Sequence, residues 1–422
     1  MSYDLIYVSL FTDRRLETTT LMKTSNNRLS LKIVWISFTI LDVHLHRTSR
    51  IEILRHLAQR GHHVHFIAVR SKAVHYSKNS DMQITTIPLR YIPAISWMLF
   101  GFITLFYLPL YLIKMRPDFI ITDPSTPIFS FLWKPILSRV LGFKMILDIR
   151  STPTSLSTVK MLLFNISVFT AKAMFDGVTI VTNGMKKEVS KKFNMNPKNI
   201  GVWSEGTSIE LFAYEKNIPY GLELRKKFGL SRKFVFFYHG ALSRSRGIIE
   251  CVKAIQLKKK EYPDIVIFLL GNGPAFHVLQ RLIQESGVQD KVILHGPVNY
   301  EEVPKYIAMS DVGIVPLPNI PKWRNQCPLK LLEYLAMKRT AIVTDIPANR
   351  EILGDKECAI YIPSCNPIQI ARAMEFAYKN KKKLKEWGEL GRTIIHQKYN
   401  WNEAAKDLEN YLLEVKNRSF KW

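Results

Sequence analysis

Lys330 and Glu333 stand three residues apart in a run that reads Trp-Arg-Asn-Gln-Cys-Pro-Leu-Lys-Leu-Leu-Glu-Tyr-Leu-Ala-Met-Lys-Arg from Trp323 to Arg339. At helical spacing the cation and the carboxylate share one turn, so a phosphate and a pair of hydroxyls could be gripped side by side. That pairing suits a sugar nucleotide. The plainer alternative is an ordinary buried helix in which Glu333 satisfies its own N-terminus. Taken as a first-turn surface carboxylate, Glu333 could be removed at little cost to the fold.

The surrounding pattern supplies the element that would position this pair. Pro328 precedes a periodic apolar run beginning at Leu329, and proline is tolerated at a helix entrance because its missing N–H would lack a partner there. The free N–H groups beside it point outward and can hold an anion. A β-branched stretch, Ala341 to Thr344, follows a short basic turn and completes one αβ step of a parallel sheet.

Similar steps precede it. Phe234 to Tyr238 reads as a strand and runs into His239-Gly240-Ala241-Leu242-Ser243-Arg244-Ser245-Arg246-Gly247, with a helix from Ile248 to Ile255. Gly240 permits close backbone approach, and Arg244 and Arg246 beside a helix start can take a diphosphate by paired hydrogen bonds. By itself a strand-glycine-helix step is common. Ile265 to Leu270 leads to Gly271-Asn272-Gly273-Pro274, and Val292 to Leu294 leads to His295-Gly296-Pro297-Val298. Each glycine there is otherwise a tight turn.

The first half opens in the same style, with a strand at Leu31 to Ser37, a helix at Arg50 to Arg60 ending at Gly61, and a strand at His63 to Val69. The loop between carries His44 and His46, which are either ligands or bases on the acceptor side or part of a solvated loop. The strand Phe143 to Ile149 ends in Asp148-Ile149-Arg150. Ligands of open α/β sheets bind at strand carboxyl ends, so Asp148 and Arg150 are expected at the edge of a cleft, with a structural ion pair as the alternative.

Composition limits the partners. The chain has 422 residues, is 47% hydrophobic and carries 60 basic against 35 acidic side chains, a formal charge of +25. The length favours two domains, and so basic a surface wants a polyanion. No RNA-binding motif, zinc spacing or arginine-rich tail points to nucleic acid. The uncharged stretch Ile92 to Ile113 is long enough to span a bilayer, but Pro109 interrupts it and the sheet resumes at Phe119. A helix lying in the membrane interface is the expectation, with a buried helix as the alternative. Pro127 to Leu141 and Val159 to Phe175 repeat the mixture of apolar and basic residues, which suits an anionic bilayer. The four cysteines, Cys251, Cys327, Cys358 and Cys365, show no CxxC pair and fit reduced thiols in a cytosolic setting. The polar first thirty residues lack the apolar core of a signal peptide, and Met22 offers an alternative start.

Together, the segment from Trp323 to Asp345 and the glycine loops before it resemble the retaining glycosyltransferases of the GT-B superfold, family four. Glu333 matches the second glutamate of that family's donor motif, and Pro328 and Lys330 match a branch with Pro-x-Lys before Leu-Leu-Glu-Tyr. Asn325 stands where the first glutamate is usual, Arg246 takes the place of the glycine-loop lysine, and Ala241 that of its arginine, with Arg244 as a substitute.

The resemblance implies an α/β fold with two Rossmann-like doubly wound domains facing across a cleft. The corresponding layout is an extension over 1–30, an N-terminal acceptor-side and membrane-associating domain over 31–204, and a hinge over 205–232. A nucleotide-sugar domain over 233–398 and a final helix over 399–422 that packs back on the first domain complete it. It implies a nucleoside-diphosphate sugar as donor substrate, bound by Gly240, Arg244, Arg246, Gly271, Gly273, Val298, Asn325, Leu329, Lys330 and Glu333. Arg150, Arg246, Lys330 and Glu333 would carry the chemistry, without a metal or other cofactor. The expected activity is hexosyl transfer with retention to a lipid-linked acceptor at the cytoplasmic face of a membrane. An epimerase on the same superfold and a non-catalytic sugar-nucleotide or membrane-binding module are the rival readings.

Overall fold

A computed structural model of the chain describes residues 29–40, 47–70, 82–89, 92–124, 133–153 and 158–418. His44, His46 and residues 1–28 lie outside the described residues.

The first sheet is built from β1 (Lys32–Ile40), β2 (His63–Arg70), β3 (Gln83–Pro88), β4 (Phe119–Thr122), β5 (Lys144–Ile149), β6 (Gly177–Ile180) and β7 (Ile200–Val202). Its helices are α1 (Arg47–Gln59), α2 (Pro93–Met115), α3 (Lys134–Leu141), α4 (Thr158–Met174) and α5 (Asn183–Phe193). The strands lie in the order β3-β2-β1-β4-β5-β6-β7, and each neighbouring pair runs parallel.

Parallel connections cross over right-handed, which puts α2, α3, α4 and α5 on one face and α1 on the other. The core follows that division. Val34 and Ile36 point toward Phe100, Leu108, Phe164 and Val189, whereas Ile33 and Trp35 point toward Ile53, Leu54 and Leu57.

Helix α2 runs through Pro109 without ending, at the cost of one intrahelical hydrogen bond, and stops at Arg116 in the left-handed conformation. Its stretch from Ile95 to Met115 is long and apolar enough to cross a membrane. Yet Phe100, Leu108 and Leu112, spaced by multiples of four residues along its inner side, are locked into the core. Its outer side exposes Ile95, Phe102, Phe106 and Leu110, and the outer sides of α3 and α4 expose Ile136, Val140, Leu162 and Phe169. Because α2, α3 and α4 cover one face of the sheet, these exposed apolar residues are all carried on the same side of the domain.

The second half begins with α6 (Tyr214–Lys227), so the stretch expected as linker contains a helix of its own; Arg225 bonds the Met309 carbonyl at 2.6 Å from it. Strands β8 (Phe234–His239), β9 (Ile265–Leu270), β10 (Val292–His295), β11 (Val312–Val315), β12 (Ala341–Thr344) and β13 (Ala359–Ile362) form a sheet in the order β10-β9-β8-β11-β12-β13. All its pairs are parallel. The helices are α7 (Ile248–Lys258), α8 (Phe276–Glu285), α9 (Val303–Ala308), α10 (Pro321–Arg324), α11 (Leu329–Ala336), α12 (Pro347–Leu353), α13 (Pro367–Lys379) and α14 (Lys381–Lys398).

A last helix, α15 (Trp401–Asn417), leaves this domain and packs on the first, capped by Asn400, whose side chain accepts from the Glu403 N–H. Trp401, Leu408 and Leu412 enter the core beneath α1. Tyr411 donates to the Asn199 carbonyl at 2.6 Å and accepts from the Val178 amide, while Glu409 pairs with Arg60.

Candidate active site

The order reverses between β1 and β4 in one sheet and between β8 and β11 in the other. Ligands of open α/β sheets bind at such switch points, beyond the carboxyl ends of the strands. A cleft of about 540 Å³ lies there between the two domains.

The loop after β8 meets the loop after β9 backbone to backbone. Gly240 donates to the Leu270 carbonyl and Leu242 to that of Asn272, both at 2.9 Å. A Cβ on Gly271 would sit 2.0 Å from the Gly240 oxygen, and its φ is +144°, so glycine is obligatory. Gly271→Ala is therefore expected to destabilise the domain by roughly 2–3 kcal/mol. A chemical-denaturation midpoint equal to wild type would contradict this. Gly273 serves the same close packing, since its Cβ would meet the Leu242 oxygen at 2.3 Å. It does not line the cleft, which corrects its expected donor contact.

Helix α11 starts at the cleft floor and aims Lys330 and Glu333 inward. Both are buried, Lys330 8% and Glu333 3% exposed, so Glu333, which lies past the first turn of α11, is not the first-turn surface carboxylate expected. Its Oε1 accepts from the Tyr300 hydroxyl at 2.9 Å, and its Oε2 lies 3.1 Å from His239 Nε2. Burial and then the Glu333 charge hold Tyr300 well above the usual phenol range, which keeps it a hydrogen donor.

The Lys330 ammonium lies over the Tyr238 ring, 4.4 Å from its centroid. Arg246 lies over Trp323 at 4.5 Å. Among the described residues no carboxylate forms an ion pair with either cation. Burial, and after it the Arg246 guanidinium, push the Lys330 pKa well below the ordinary lysine range, against the smaller opposing pull of Glu333. A desolvated cation without a carboxylate partner among the described residues, at a helix start, is an arrangement that can take an anion.

The first domain contributes Arg150 and Glu205. Arg150 stacks on Trp203, 3.5 Å from the ring centroid, donates to the Trp203 carbonyl at 2.9 Å and holds Glu205 at 2.9 Å. Asp148 is fully buried beneath them rather than at the cleft edge. It pairs with Arg50 and accepts from Trp203 Nε1 at 3.0 Å and Thr179 Oγ1 at 2.8 Å. The structural ion pair is the reading that holds for Asp148, and its effect on the cleft is to fix the ring on which Arg150 rests.

The structure thus brings Arg150, Gly240, Arg246, Gly271, Val298, Leu329, Lys330 and Glu333 to one cleft. Arg244 is exposed and outside it, because the short 3-10 turn Arg244–Arg246 points the two arginines apart. Asn325 is also outside. Its Nδ2 donates to Glu188 at 2.8 Å, and its carbonyl accepts from Thr182 at 2.6 Å, so it joins the two domains instead of facing the donor pocket. His239, Tyr300 and Glu205 line the cleft without having been singled out by sequence. His239 ends the strand before the glycine loop and was legible in principle; Tyr300 reaches Glu333 through tertiary packing alone.

Two parallel-sheet α/β domains with a cleft at their switch points define the GT-B class. Residues 222–394 match the family Glycosyl transferases group 1, and residues 48–211 match Glycosyltransferase Family 4, so the chain carries both domains of this glycosyltransferase class. It is 22% identical to the alpha-D-kanosaminyltransferase of Streptomyces kanamyceticus, over 46% of this chain and 49% of that one. It is 21% identical to the GDP-mannose-dependent alpha-(1-6)-phosphatidylinositol monomannoside mannosyltransferase of Mycobacterium tuberculosis, over 45% of this chain and 50% of that one. The matches span about half the length of these relatives. In fold it is similar to Anabaena HepE, crystallised with UDP, at a TM-score of 0.72 and 12% identity, over 91% of this chain and 100% of that one.

Proposed function

We propose that the protein is a retaining hexosyltransferase that moves a sugar from a nucleoside-diphosphate sugar to a lipid-linked acceptor in surface glycan or lipid-linked saccharide synthesis. The observation that carries this reading is the buried Lys330, without a carboxylate partner, beside Arg246 and opposite Glu333. The diphosphate lies against Lys330, Arg246 and the Leu329 helix start, and the ribose hydroxyls replace or join Tyr300 at Glu333.

Cleavage at the anomeric carbon leaves negative charge on the β-phosphate. Fixed cations there favour the transition state over the ground state, and in this reading they supply the charge without a metal. Arg150 faces the reacting sugar from the first domain, held rigid by Trp203 and Glu205. One relative is named for a GDP-mannose donor and a phosphatidylinositol monomannoside, in keeping with a lipid-linked acceptor.

Incubation of the full chain with UDP-, GDP- and ADP-sugars and a membrane extract tests this. Labelled sugar in the lipid fraction supports it. A new free nucleotide sugar would point to an epimerase, and binding without turnover to a non-catalytic module.

In this reading the apolar residues of α2, α3 and α4 form the docking face, and the enzyme sits, peripheral or monotopic, on the cytoplasmic side of an anionic membrane. Lys114, Arg116 and Arg139 are exposed beside it. Binding to phosphatidylglycerol vesicles in a sedimentation assay is expected to weaken at high salt without vanishing, since screening removes the basic contribution and leaves the apolar one. Complete release by salt would rule out insertion of α2. Phe106→Glu with Leu110→Glu should reduce the salt-resistant fraction.

A further inference from the structure

A second cavity, of about 480 Å³, lies between the two domains beside the donor cleft. From the first domain it is lined by Met161 and Phe164 of α4 and by Val189 and Lys192 of α5. Ser245 and Lys322 close it from the second domain, each one residue from Arg246 and Trp323 of the donor cleft. We infer that this cavity is the acceptor portal, a site for the phosphate head of a lipid-linked acceptor whose hydrocarbon tail remains on the apolar face of α4. The inference rests on the transferase reading above and names the acceptor subsite for it.

Three observations support it. First, the cavity borders the apolar face of α4: Val159 and Leu162, exposed on that helix with the basic Lys160 between them, are close in sequence to the lining residues Met161 and Phe164. An amphiphile can then keep its tail in apolar surroundings while its head enters the protein.

Second, the lining charge suits an anion. Lys192 donates to Asn165 Oδ1 at 3.1 Å, and Lys322 lies 4.5 Å above the Trp323 ring; neither forms an ion pair with a carboxylate among the described residues. The one acid in the lining, Glu188, already accepts from Asn325 at 2.8 Å. Burial, and next the Arg246 charge, lower the Lys322 pKa, a cost that a bound phosphate would offset.

Third, position fits function. Lys322 and Ser245 place a bound head beside the residues proposed to hold the donor diphosphate, so the acceptor hydroxyl next to that head approaches the cleft from the membrane side. The volume is within the usual range of small-molecule sites. This also gives Asn325 a role: its hydrogen bond fixes the position of the Glu188 carboxylate at the cavity wall.

The test is titration of the full chain with farnesyl diphosphate, kept below its aggregation concentration so that binding to micelles cannot contribute. Lys192→Glu should weaken binding about tenfold or more, as expected for loss of a charge-assisted contact and its replacement by a repulsive one. Lys191→Glu makes the same change in net charge one residue away, outside the cavity lining. It should leave binding within about twofold, because an exposed charge beyond the contact distance is screened.

Equal weakening by the two variants, unchanged binding in Lys192→Glu, or no binding to wild type would each overturn the portal. Nucleotide release from the donor in the absence of lipid is measured alongside. Lys192→Glu should leave that background hydrolysis at the wild-type rate while lowering transfer to lipid, a pattern that misfolding would not give. If wild type turns over no nucleotide sugar yet binds farnesyl diphosphate with this variant pattern, the transferase reading fails and the lipid-phosphate site stands.

Discussion

Glu333→Gln should lower the rate of sugar transfer by about a hundredfold or more while the protein remains folded. The amide keeps the shape of the side chain and can still accept from Tyr300, but it loses the charge that strengthens two hydroxyl contacts at once. Glu333→Ala is the less clean probe. It takes the acceptor from the partly buried Tyr300 hydroxyl, which costs about 1 kcal/mol, so a lost activity there would mix chemistry with stability. Nucleotide release under saturating donor, with a thermal melt of the same sample, separates the two effects. Full turnover by Glu333→Gln would remove this residue from the donor site.

Lys330→Met should reduce transfer by about two to three orders of magnitude, because the cation nearest the leaving diphosphate is gone. Its stability should change in the opposite direction or hardly at all. Lys330 is a buried ammonium without a carboxylate partner, and methionine fills the same channel over Tyr238 without a charge to desolvate.

The depressed pKa of Lys330 gives this variant a pH signature. In the empty protein the folded-state pKa lies below the unfolded value, so between the two the unfolded chain binds more protons and stability rises with pH. A bound diphosphate pulls the pKa back up. Donor binding above the empty-state pKa therefore takes up a proton, and affinity falls as pH rises. Calorimetric titration with a nucleoside diphosphate in buffers of different ionisation enthalpy measures that uptake, and Lys330→Met should abolish it. Wild-type binding with no proton uptake between neutral and alkaline pH would refute the assignment.

How far this arrangement was legible in the sequence varies with the physical origin of each element. Local chemistry could be read directly. Pro328, the apolar spacing from Leu329 and the β-branched Ala341–Thr344 announced α11 and β12, and Gly240 announced close backbone approach. Features set by partners distant in sequence could not be read. Asn325 and Glu333 keep the spacing of a donor motif, yet the tie to Glu188 in the other domain turns Asn325 away. Asp148 and Arg150 are two residues apart on one strand end, and only Arg50 and Trp203 decide which is buried.

Some elements were hidden by their composition. Strand β3 reads Gln-Ile-Thr-Thr-Ile-Pro, polar because it lies at the sheet edge. Helix α14 holds Gly388 and Gly391, poor helix formers that are required where a Cβ would strike the Lys338 carbonyl at 2.2 Å and the Leu335 side chain at 2.5 Å. Helix α6 begins where a linker was expected, and its packing on the second domain explains why.

The return of α15 to the first domain has a consequence for how the chain is made. Trp401, Leu408 and Leu412 share the core that α1 forms with the first sheet, but they emerge from the ribosome only after the whole second domain has been translated. Until then the nascent first half carries an uncovered greasy seam over Trp35 and Leu57, and holding chaperones would have to shield it. Severing the gene before codon 401 would thus cripple the half of the enzyme that lies farthest from the cut.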